Sequence, residues 1–266
     1  MKRVAALFVA LALLASVVGA TPAGGAPAAT VPITTCGQSV PSHVTGVLQN
    51  DLTCPTDSGF AVLLQHKAHL DLNGHVISGG YYGIFLNGSR TTIAGPGELS
   101  GAGFIAIWRP DNVKSDVIEI RDINVHDNQF GIVPGDNNKV SLQLENVTLQ
   151  DNTESAIADC NGLKIVGTGV DVLRNGGGIC GASIVLHDSH VQDNDGIGIF
   201  NWFGTVRLVD STVTGNTGDV NVPGMVDIAS YRKPRLKNST CDHSRKLGKF
   251  PDLGDGSSSW SVCTGD

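Results

Sequence analysis

Ile118-Glu119-Ile120-Arg121-Asp122-Ile123-Asn124-Val125-His126-Asp127-Asn128 decides the fold, because four later stretches repeat its pattern and each closes on an asparagine. The closing residues are Asn128, Asn152, Asn175, Asn194 and Asn216, at intervals of 24, 23, 19 and 22 residues. Counting back from each Asn, position −3 holds Val125, Leu149, Val172, Val191 and Val213. Position −8 holds Ile120, Leu144, Gly167, Leu186 and Leu208; position −10 holds Ile118, Leu142, Ile165, Ile184 and Val206. Side chains two apart on a strand share a face, so −10 and −8 point inward together and −3 begins a second inward set. Between the sets lie Arg121-Asp122, Glu145-Asn146, His187-Asp188 and Val209-Asp210, rich in residues that tolerate left-handed backbone angles. Short strands, tight turns and one variable loop at a period near 22 predict an all-β parallel β-helix.

The register extends upstream. Leu70-Asp71-Leu72-Asn73-Gly74-His75-Val76-Ile77-Ser78-Gly79-Gly80 fits with Gly80 in the Asn slot, Leu70 at −10, Leu72 at −8 and Ile77 at −3. The next coil keeps Ile93 and Leu99, with one extra residue in its Gly95-Pro96-Gly97 turn. A third apolar stretch follows each slot, as in Gly83-Ile84, Gly131-Ile132 and Gly178-Ile179. Three strands per coil bury a continuous cylinder that no single coil could bury alone. Successive slot asparagines would stand about 4.8 Å apart and hydrogen-bond as a ladder.

Residues 1–28 carry the marks of a secretory leader: Lys2 and Arg3, an apolar run from Val4 to Val18, then small residues. The run is too short to favour a membrane span, and no later stretch approaches that length. The chain has a formal net charge of −7, and loss of Lys2 and Arg3 would lower it to −9. That balance argues against nucleic acid or anionic lipid as partners. Six cysteines suit an oxidising compartment. They fall as three local pairs: Cys36 with Cys54, Cys160 with Cys180, Cys241 with Cys263. Six cysteines allow 15 pairings, and metal–thiolate ligation is the rival use, although the close C-x-x-C spacing is absent. Beyond the leader, residues 29–60 are expected to form an N-terminal cap and first coil, 61–216 the helix, and 217–266 a C-terminal cap. The whole makes one domain of about seven to eight coils of 19–27 residues, and a monomer is expected.

The stretch LDLNGHVISG at Leu70–Gly79 resembles the opening coil of the bacterial right-handed parallel β-helix repeat proteins, the pectin-lyase-like and NosD-like group. CGQSV from Cys36, NDLTCP from Asn50 and GFAV from Gly59 resemble that group's N-terminal cap; DIAS from Asp227 and SWSVC ending at Cys263 resemble its C-terminal closure. The resemblance covers nearly all of the chain after the leader and implies a right-handed helix. The shared residues belong to turns and core, so the chemistry has to come from a site. Polygalacturonase signatures are not completed: no two aspartates are adjacent, NTGD at Asn216–Asp219 is interrupted, and Arg235–Lys237 lies in the tail. For pectin methylesterases only the Gln150-Asp151 pair fits, and for pectate lyases the nearest approach is Asp171 with Arg174. The implied bacterial source makes the sequons at Asn87, Asn146 and Asn238 chance matches.

Candidate sites remain. Positions −4 and −2 form an outward stripe that includes Asn124, Thr148, Asp171 and His190 beside His126, Gln150 and Gln192. Amides, hydroxyls and imidazoles suit sugar hydroxyls, and equally suit a solvated polar face. His187 and His190, with Asp188 and Asp193, lack the helical spacing of common zinc motifs, and no metal is expected. His75 at an inward position suggests a turn-lining histidine bonded to backbone. Trp108-Arg109-Pro110-Asp111 and Asn201-Trp202-Phe203 leave the cylinder on one side, four coils apart. Aromatics are 5% of the chain, so two indole-bearing loops on one rim would form a sugar-stacking platform, unless they fold back over the cylinder wall.

Two functions follow. One is a secreted, non-catalytic protein that binds a polysaccharide or acts at the cell surface, with no cofactor. The other is a carbohydrate-active lyase, hydrolase or epimerase with an unrecognised site; calcium enters only if it is a lyase. Such an enzyme needs paired carboxylates, or a base beside a cation, on adjacent coils. The sequence suggests no such column.

Overall fold

The computed structural model describes residues 29–110, 116–135, 140–218, 224–248 and 258–266. The expected leader and Asp111 of the first indole-bearing loop lie outside the described residues.

The described chain is all β, and its strands pair in parallel from coil to coil. A complete coil has a first strand, a bend, a second strand, the Asn turn and a third strand. First and second strands form one 15-stranded sheet that folds at the bend, and third strands form a 10-stranded sheet. Asp116–His126 illustrates the two-strand unit: its residues pair one for one with Val140–Gln150, which pairs in turn with Lys164–Leu173. Ile118, Ile120 and Val125 align with Leu142, Leu144 and Leu149, as the repeat requires. Ile118, Val125, Leu142 and Leu149 are fully buried and belong to one core cluster that runs the length of the helix.

The bend is a column of left-handed residues: Asp122, Asn146, Gly169, Asp188, Asp210 and Asn238 all have positive φ. Asp and Asn tolerate this region because their short polar side chains bond locally, and a β-branched residue there would be strained. A second left-handed column, Asp127, Asp151, Arg174 and Asp193, precedes the slot asparagines.

The upstream register needs one correction. Leu70 pairs with Ile93 and Ile93 with Ile120, so Leu70 stands in the −8 column, not at −10. The cause is a longer bend in which Asn73 and Gly74 are both left-handed; Leu72 is buried beneath it. The extra residue at Gly95-Pro96-Gly97 is present, at the one register shift between this coil and the next. His75 does not bond backbone as expected: its Nδ1 lies 3.1 Å from the Asp51 carboxylate, half-exposed at the longer bend.

The asparagine ladder is complete. Each Nδ2 donates to the next Oδ1, from Asn128 to Asn152 (3.0 Å), Asn175 (2.8 Å), Asn194 (3.0 Å) and Asn216 (2.8 Å). Asn216 donates in turn to Asp227 Oδ1 at 2.8 Å. An aspartate fits the last place: its other oxygen accepts the backbone N–H groups of Asp242 and His243. A parallel serine column, not foreseen, lines the bend. Ser189, Ser211 and Ser239 each accept a backbone N–H from the coil before. The disulfides are Cys36–Cys54, Cys160–Cys180 and Cys241–Cys263, the three local pairs.

Candidate functional site

Third strands carry two outward columns, and over four successive coils both are apolar. Phe60, Tyr82, Ile105 and Phe130 stand in register along one; Leu63, Phe85, Trp108 and Val133 along the other. The inward partners between them, such as Ile84 and Ile107, belong to the core. Tyr81 and Phe104 add two rings at the turn just before. Seven of the fourteen aromatic side chains of the chain (3 Trp, 3 Tyr, 8 Phe) therefore meet on one outer face. A solvent-facing sheet needs none of them for its hydrogen bonds.

The rings pack in a chain. Trp108 stacks on Tyr82 with centroids 4.1 Å apart at 18°, and meets the edge of Phe85 at 4.8 Å. Tyr81 lies edge-on to Tyr82 and 5.3 Å from Phe104, which contacts Phe130 at 5.5 Å. Tyr81 is 41% exposed and the others are half-buried, so the cluster forms a ridge with open faces. Burial, and then the neighbouring Tyr81, push the Tyr82 hydroxyl above the ordinary tyrosine range, which keeps it a neutral hydrogen-bonding group.

Farther along the same face the side chains shrink. Ser155 and Gly177 take the register of Phe130. Gly176, Gly177, Gly178 and Gly196 floor a cavity of about 480 Å³ that Phe200 and Trp202 wall at its far end. Trp202 packs edge-on against Phe200 at 4.9 Å and lies over Phe203, which is 49% exposed. Four strand pairings separate the Trp108 strand from the strand that ends at Asn201, roughly 19 Å along the axis. The face thus runs from an aromatic ridge across a glycine floor to a second aromatic group.

The other sequence candidates divide. Trp108 ends a strand instead of riding a loop, and it packs on the cylinder wall through Tyr82. Arg109 does not reach solvent: it is fully buried, and its Nη1 donates to the Pro134 carbonyl at 3.0 Å, tying two third-strand ends together. Asp111 lies outside the described residues. His126, Asp171 and His190 sit on a different face, that of the second strands. There His190 Nδ1 meets Asp171 at 2.8 Å. Among the described residues no group of three or more His, Cys, Asp or Glu is placed to hold a metal ion.

That second-strand face is more charged than the sequence indicated. His126 bridges Asp127 (2.7 Å) and Glu98 (3.3 Å). Burial works to lower its pKa, but the two carboxylate bonds outweigh it and hold it above the ordinary histidine value. One coil on, Arg174 grips Asp151 with bonds of 2.9 and 2.7 Å, and its guanidinium holds the Asp151 carboxyl below the usual range. Arg174 therefore partners Asp151, not Asp171. A base beside a cation on adjacent coils does exist, in the left-handed column before the Asn slots. The clue was the −1 position, where Asp127, Asp151, Arg174 and Asp193 recur.

Fold and surface define the chain as a parallel β-helix, the architecture that its likeness to the pectin-lyase-like group implied. No protein family and no curated protein matches the sequence. Among solved structures it is similar to the crystal structure of pectate lyase Pel9A, at 12% identity and a TM-score of 0.37. The match covers 82% of this chain and 65% of that one, less than two thirds of the enzyme's length. A likeness of that size concerns the backbone path and not the chemistry.

Proposed function

We propose that the protein is a secreted, non-catalytic glycan-binding protein whose binding surface is the aromatic ridge and glycine floor of the third-strand face. The observation that carries this reading is the gathering of seven rings on one outer face of a chain poor in aromatics. Sugar rings present C–H faces that stack on indole and phenol rings, whose polar ends then bond hydroxyls. Contiguous apolar surface rimmed by polar groups marks interaction sites in general. Three disulfides fit an oxidising, extracellular setting.

Calorimetric titration with neutral oligosaccharides of increasing length tests it. Affinity should grow until the ligand spans the distance from Trp108 to Trp202 and be absent for monosaccharides. Tyr81→Ala should weaken binding at nearly unchanged melting temperature, and Trp202→Ala should weaken it with some loss of stability from its contact with Phe200. Trp108→Ala should weaken it too, with some loss of stability because the indole also packs on Tyr82. Binding that survives all three substitutions would reject the site.

The second reading, a carbohydrate-active enzyme, is favoured by one observation: Glu98–His126–Asp127 beside Asp151–Arg174 on the second-strand face. A histidine with a raised pKa is suited to act as a general acid near neutral pH. Depolymerisation of any member of a polysaccharide panel, with or without calcium, that is lost in His126→Gln would establish it.

A further inference from the structure

The corner between a third strand and the next first strand has an unusual occupant in three successive coils. His43, Lys67 and Arg90 there take left-handed angles, with φ of 63°, 54° and 57°. The stacking is set by backbone bonds, His43 N–H to the His66 carbonyl and Lys67 N–H to the Ser89 carbonyl. At the bends and before the Asn slots the same conformation is filled almost entirely by Asp, Asn and Gly. Histidine, like Asp and Asn, tolerates positive φ, but the long side chains of Lys67 and Arg90 work against their backbone preference, and such strain concentrates where a function needs the residue.

These residues line one end of a groove of about 560 Å³ together with His69, Glu119 and Gln143. The groove lies on the outer face of the first strands, where His69, Thr92, Glu119 and Gln143 follow one another in register. His66 stands at the corner, its Nδ1 2.7 Å from Ser89 Oγ and its ring 5.6 Å from that of His43. Beyond Glu119 and Gln143 the groove continues into a second cavity of about 280 Å³ that holds Arg121 and Glu145. One end of the groove thus holds Lys67 and Arg90, and the rest holds Glu119 and Glu145, with Arg121 in register with Glu145.

We propose that this groove binds a sparsely charged glycan: one oxyanion, carboxylate or sulfate, against Lys67, Arg90 and the imidazoles, with neutral sugar over Glu119, Gln143 and Glu145. Ammonium and guanidinium groups form charge-assisted bonds with such oxyanions. Carboxylates accept hydrogen bonds from sugar hydroxyls, and amides both accept and donate. Glu119 and Glu145 set the charge pattern, because a uniform polyanion would place negative groups against them. The site is separate from the aromatic face, and neither reading needs the other.

The experiment follows the histidine ring signals of the full chain by NMR at constant ionic strength. The probes are glucose, glucuronate, glucose 6-sulfate and polygalacturonate. Glucuronate or glucose 6-sulfate should move the signals of His43, His66 and His69 while glucose does not, and the two anions separate the carboxylate and sulfate sources. The signals of His126 and His190, on another face, should stay in place. Lys67→Asn, which keeps a residue suited to the left-handed corner, should weaken the anion effect on the order of tenfold. Arg207→Gln, farther along the same sheet, should leave it unchanged. The proposal is overturned if glucose shifts the three histidines as much as the anions do, or if all histidines move together. It is equally overturned if Lys67→Asn responds like the wild type, or if polygalacturonate is bound tighter than glucuronate per uronate.

Discussion

Asn175 accepts two hydrogen bonds from Asn152 and donates to Asn194 and to the carbonyls of Leu149 and Leu173, all inside the cylinder. Truncation leaves several of these groups buried and unpaired, each costing about 1–3 kcal/mol. Asn175→Ala should therefore lower stability by about 3–5 kcal/mol in chemical denaturation. Asn175→Asp should fare no better, because a carboxylate has no donor for the two carbonyls. His126 offers a pH test. Its folded pKa is raised above the unfolded value near 6.5, so its stabilising contribution is fully present below that value. It is lost as pH rises through the folded pKa. The melting-temperature gap between wild type and His126→Gln should be widest in mild acid and close in alkaline buffer; a gap independent of pH would refute the carboxylate pairing.

The strand columns were legible because a one-residue slip would turn every inward side chain outward. Val191 lies between Val172 and Val213 in register and is almost fully buried. Val191→Asp buries an unpaired charge at a cost of several kcal/mol and should abolish soluble protein; normal yield and melting would contradict the register. Leu70 shows where legibility ended. Its alternation with Leu72 matched the −10 and −8 positions, and nothing in one sequence states that the following bend holds two more residues. The serine column was written in Asp188-Ser189, Asp210-Ser211 and Asn238-Ser239, but serine at a turn is common enough to hide a ladder. The aromatic face was harder still. Phe60, Tyr82, Phe85, Trp108 and Phe130 are far apart in sequence and meet only once the third strands are in register. Arg109 belonged to a polar-looking loop, and its burial follows from a carbonyl one coil away.

Across the whole molecule, a solenoid's stability is a sum over neighbouring coils, so a staple matters locally. Cys160–Cys180 joins residues 20 apart on adjacent coils. Replacing both by serine should cost roughly 3 kcal/mol on the chain-entropy account. Non-reducing peptide mapping should recover Cys160 with Cys180. The outer faces differ in kind: first strands carry the groove with a cationic end, second strands an ion-pair network, third strands an aromatic ridge leading to a glycine floor. The central claim is that the last of these faces holds a glycan. Hydroxyl-radical footprinting with and without a saturating neutral oligosaccharide tests it most directly. The account predicts protection of Tyr81, Tyr82, Phe85, Trp108 and Trp202, with His126 and Tyr231 unchanged. Protection confined to the second-strand face, or no protection of these rings under saturating ligand, would contradict it.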